Sequence, residues 1–69
     1  MFKAYLTTHD GTPLPGFVEL EESPEAITNY FNKQASLYNV KVVDQDDRII
    51  AKMENGKLVF PNVGIDFTK

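Results

Sequence analysis

The 69-residue chain has no cysteine and a single histidine, His9. The first absence excludes disulfides. Together the two exclude a structural zinc site, which takes four Cys or His ligands. No stretch approaches the ~20 consecutive apolar residues that span a bilayer, and the first residues alternate where a signal peptide would carry a long apolar core. The cytoplasm is therefore the expected compartment. With no staple available, a chain of this length must rely on a good core or on a partner subunit.

What is present suits a folded chain: 42% hydrophobic residues, including three Tyr and five Phe. One domain, residues 1–69, is all the length allows. The net charge of −3 favours solubility and works against non-specific binding to nucleic acid or anionic membranes. The acidic excess lies in the first 39 residues and clusters at Glu19, Glu21, Glu22 and Glu25.

Residues 2–8 alternate with period two, a first strand with Phe2, Ala4 and Leu6 on one face and Lys3, Tyr5 and Thr7 on the other. Two Pro and two Gly within residues 9–16 then break regular structure, and residues 17–21 resume as a second strand. Ser23-Pro24-Glu25 is a helix start: a capping hydroxyl, a proline at the first helical position and an acid at the positive end of the dipole. Ile27, Tyr30, Phe31, Ala35 and Tyr38 recur at helical spacing, so the helix is predicted over 24–38 and ended by Asn39.

Residues 40–43 are a β-branched strand, 44–47 a polar turn and 48–54 a further strand running into Asn55-Gly56, the strongest short hairpin signal. A type I′ turn there pairs Glu54 with Lys57, Met53 with Leu58, Lys52 with Val59 and Ala51 with Phe60. On that register Ile49, Ala51, Met53, Leu58 and Phe60 face the core. Residues 62–69 are open between a short sixth strand and a tail packed on the core. The expected fold is α+β: a single antiparallel sheet of four to five strands, order β-β-α-β-β-β along the chain, with one helix on one face.

Several chemistries fail on inspection. His9 beside Asp10 has the composition of a base oriented by a carboxylate, but a turn explains the pair, and no cysteine or activated serine accompanies it. Asp44, Asp46 and Asp47 open like a calcium loop, yet Ile49 stands where the glycine must be. Gly11 and Gly16 flank no lysine and do not join a strand to a helix, so a phosphate-cradling loop is unsupported. No catalytic residue, cofactor or metal is expected, and the chain reads as a non-enzyme.

What remains are surfaces. One helix leaves one sheet face bare, and Tyr5, Val43, Ile50 and Val59 are expected to point outward there, an apolar patch for a protein partner or a second copy. Lys3, Tyr5, Lys41 and Lys52 share that face, in the pattern of bases stacked between cations, although the acidic balance opposes nucleic acid. The rigid loop 12–17 presents Leu14 and Phe17 at low entropic cost. The alternative is a small acidic inhibitor or regulator that offers Glu19, Glu21, Glu22 and Glu25 to a basic site on a larger protein, a nucleic-acid-binding one being an option.

Overall fold

A computed structural model describes residues 1–68. Five strands, β1 (Phe2–Thr7), β2 (Val18–Leu20), β3 (Asn39–Val43), β4 (Ile49–Glu54) and β5 (Lys57–Phe60), form one antiparallel sheet in the order β2-β1-β3-β4-β5. The single helix, α1 (Pro24–Gln34), lies across one face and packs chiefly on β3. The α+β fold expected from the periodicities is thus the fold observed.

Alternation decides which side chains meet the helix. Ala4 of β1 and Val40 and Val42 of β3 turn inward with Ala51, Met53 and Leu58, and α1 sets Phe31 and Ala35 against them. Phe31 and Met53 are the two largest side chains that are fully buried. The Ser23 hydroxyl accepts a hydrogen bond from the Ala26 amide (3.1 Å), and Pro24 follows at the first helical position. Such a cap satisfies an amide that the helix cannot.

The helix is shorter than its periodicity predicts, ending at Gln34 where 24–38 was expected. The Leu37 and Tyr38 amides both donate to the Gln34 carbonyl at 2.9 Å, closing a turn that redirects the chain. Asn39 is the first residue of β3, not a helix terminator: it pairs with Thr7, and its side-chain oxygen accepts from the Asn55 amide (2.9 Å). A strand partner and a turn amide outweigh further helical bonds here.

Two bulges correct the expected register. Asn55 (φ 53°) and Gly56 (φ 80°) both have positive φ, as a type I′ turn requires, and Glu54–Lys57 and Met53–Leu58 pair as expected. Beyond them Lys52 pairs with Phe60, leaving Val59 as the extra residue, so the expected Lys52–Val59 and Ala51–Phe60 pairs do not form. On the other edge of β4, Val42 pairs with Ala51 but Val43 with Ile49, which leaves Ile50 extra. The Asp44 carboxylate holds the connecting turn by accepting from the Asp46 (2.8 Å) and Arg48 (3.0 Å) amides. The turn imposes one register and the core residues Val42 and Ala51 another, one residue apart, and the bulge at Ile50 joins them. A one-residue slip exchanges faces. Ile50 therefore packs against the core, while Ile49 and Phe60, expected inside, are exposed.

The final segment, of which Lys69 lies outside the described residues, is a tail packed on the core and not a sixth strand. It runs back beside β5 through a Lys57–Asp66 bridge, with the Leu58 amide donating to the Ile65 carbonyl (2.9 Å) and the Phe67 amide to the Gly56 carbonyl (2.7 Å). Phe67 then sets its ring edge-on to Phe31, centroids 5.4 Å apart. Among the described residues no helix is long and apolar enough to cross a membrane.

Candidate functional site

The helix-free face of the sheet is built around one transverse row. Tyr5 of β1 pairs with Lys41 of β3, Lys41 with Lys52 of β4, and Lys52 with Phe60 of β5, so the four side chains lie side by side across four strands. Three interstrand steps make this row about 14 Å long. Phe17, at the end of the proline-rich loop, extends it: its ring lies 5.8 Å from that of Tyr5, tilted by 52°.

Cations sit on these rings. The Lys41 ammonium is 5.6 Å from the Tyr5 centroid and the Lys3 ammonium 5.2 Å from that of Phe17. Both distances fall in the cation–π range. Lys52 is paired with Glu54 at 3.3 Å. Lys41 and Lys52 nevertheless stand directly opposite each other, an arrangement that destabilises a sheet. Phe17 and Phe60 are 48% and 42% exposed.

The four residues expected to form an apolar patch do not come together. Tyr5 is on the outer face, half-buried under Phe17. Val43 is on that face by register but only 3% exposed, flanked by Lys3 and Ile49. Ile50 is turned to the core by the first bulge, and Val59 sits half-buried in the second. Lys3, Tyr5, Lys41 and Lys52 do share the face, as alternation predicts. Sequence reasoning missed Phe60 as a surface residue because a bulge carries no sequence signature. Phe17 was legible as a loop-borne aromatic, though not as the partner of Tyr5.

The acidic residues are divided. Glu19 lies on the outer face opposite Lys3, Glu22 pairs with the Met1 amino group (3.0 Å), Glu25 occupies the first turn of α1, and Glu21 is exposed between strand and helix. In the loop after β1, Asp10 does not orient His9. Its carboxylate accepts from the Thr8 hydroxyl and from the Thr12 amide (3.3 Å) and hydroxyl (3.2 Å). These bonds hold the Asp10 carboxyl below its ordinary value, the Thr8 hydroxyl having the largest influence. Among the described residues no group of three or more His, Cys, Asp or Glu is placed to hold a metal ion.

On the opposite side, α1, the sheet and the returning tail enclose an open apolar groove of about 440 Å³. Phe2, Ile27, Phe31, Ile50, Leu58 and Phe67 line it, with Glu22, Ser23 and Thr28 supplying its polar part.

Comparison with known proteins adds no relative: no family model, no curated protein and no solved structure matches the chain.

Proposed function

We propose that this chain is a non-catalytic interaction module whose working surface is the helix-free face of its sheet. The observation that carries the reading is the row Tyr5–Lys41–Lys52–Phe60, continued by Phe17. Fully burying a phenylalanine stabilises a fold by roughly 1.5–3 kcal/mol, and a chain this short has few such side chains to leave outside. Two half-exposed Phe on the same face as two opposed lysines are better accounted for by a partner than by stability. The dispersal of the titratable groups, with Asp10 engaged by its own loop, supports the non-catalytic part of the reading.

A photo-crosslinking amino acid placed at Phe60, and separately at exposed Leu37 in the turn after α1, tests the surface in living cells. Adducts from position 60 and none from position 37 are expected. Adduct mass then separates a second copy of the chain from a different partner. Adducts from position 37 alone would overturn the assignment of the face.

A further inference from the structure

We propose that the helix-free sheet face binds single-stranded nucleic acid, with bases on Phe60 and on the Tyr5–Phe17 pair and phosphates over Lys41 and Lys52. The proposal rests on the reading above that this face is the working surface, and adds the chemical class of the partner.

Charge segregation is the first support. By register the face holds Lys3, Lys41, Lys52 and Lys57 against Glu19 and Glu54, which is four of the seven basic residues and two of the ten acids in the chain. The face is thus net +2 on a chain that is net −3. An acidic protein that collects its lysines on one side presents a local field its total charge conceals.

The order of the row is the second. Rings stand at both ends with two ammonium groups between them, and aromatic side chains accept any base on their faces while cations follow the backbone. A row about 14 Å long suits two or three nucleotides. Lys41 and Lys52 stand opposite each other on adjacent strands, so that one phosphate can be reached by both ammonium groups. An acidic peptide would satisfy the lysines but would leave the flanking rings without a role.

Fluorescence anisotropy with a labelled single-stranded oligothymidylate and a labelled oligouridylate of the same length tests this, and their relative affinities separate DNA from RNA. With the two phosphates over Lys41 and Lys52 neutralised, affinity should fall roughly sevenfold between about 50 and 200 mM salt. The double variant Lys41→Gln, Lys52→Gln should weaken binding about tenfold at the lower salt, and Phe60→Ala at least about fivefold. Lys41→Arg with Lys52→Arg should retain it, and Lys33→Gln, on the helix, should leave it unchanged. Binding of neither oligonucleotide at low salt, or binding indifferent to Phe60→Ala and to the lysine variants, would overturn the proposal. Tight binding of polyglutamate, lost in the glutamine variant while the oligonucleotides stay free, would overturn nucleic acid as the partner and leave the face as the working surface.

Discussion

The two faces of the sheet differ in what holds them. The helix-covered face is a contiguous core in which α1 covers β1, β3, β4 and β5, with the returning tail setting Phe67 against Phe31. The bare face is held by pairwise surface contacts: a tilted Tyr5–Phe17 pair, two cation–π contacts and one exposed ion pair. Contacts of that kind contribute about 1 kcal/mol or less each. One face supplies the stability, which leaves the other free to carry side chains chosen for something else.

Truncating one phenylalanine on each face should produce the largest difference between them. Phe31→Ala is expected to destabilise by about 3–5 kcal/mol, since Phe31 is 1% exposed and its removal leaves a cavity. Phe60→Ala, from a half-exposed ring, is expected to cost less than about 1 kcal/mol. Urea unfolding of the two variants measures both, and equal losses would mean that the bare face is also structural.

A smaller effect is expected where the tail seals the core. Gly56 has φ +80°, and a Cβ there would collide with the Thr68 methyl. Gly56→Ala strains the turn and displaces the Thr68 side chain, the neighbour of Phe67, at about 1–2 kcal/mol. Loss of protection at the Phe67 amide in hydrogen exchange, ahead of global unfolding, is the expected signature.

The smallest effect belongs to the loop after β1, which is part of neither face. Because the folded chain lowers the Asp10 carboxyl below 3.8, its contribution is present above that value and disappears as the pH falls through the lower, folded value. Melting temperatures of the native chain and of Asp10→Asn should therefore differ near neutrality and converge in acid below 3.8. A difference that persists unchanged in acid would show that the loop does not depend on the Asp10 charge.

Much of this was determined by local sequence. The alternation in residues 2–7, the Ser23-Pro24-Glu25 cap and the Asn55-Gly56 turn act over a few residues, so each specified its element wherever it lay in the chain. The same alternation placed Lys3, Tyr5, Lys41 and Lys52 on one side. The competition between neighbouring elements was resolved only by long-range packing. The helix stopped at Gln34 because Asn39 found Thr7 and Asn55 as partners, both distant in sequence. The bulges at Ile50 and Val59 arose where registers set from different ends of β4 had to meet. Those slips turned Ile50 inward and Phe60 outward, and so completed the candidate site. Local patterns record the preference of a strand for one face, whereas a register shift depends on two strands at once and leaves no mark in either.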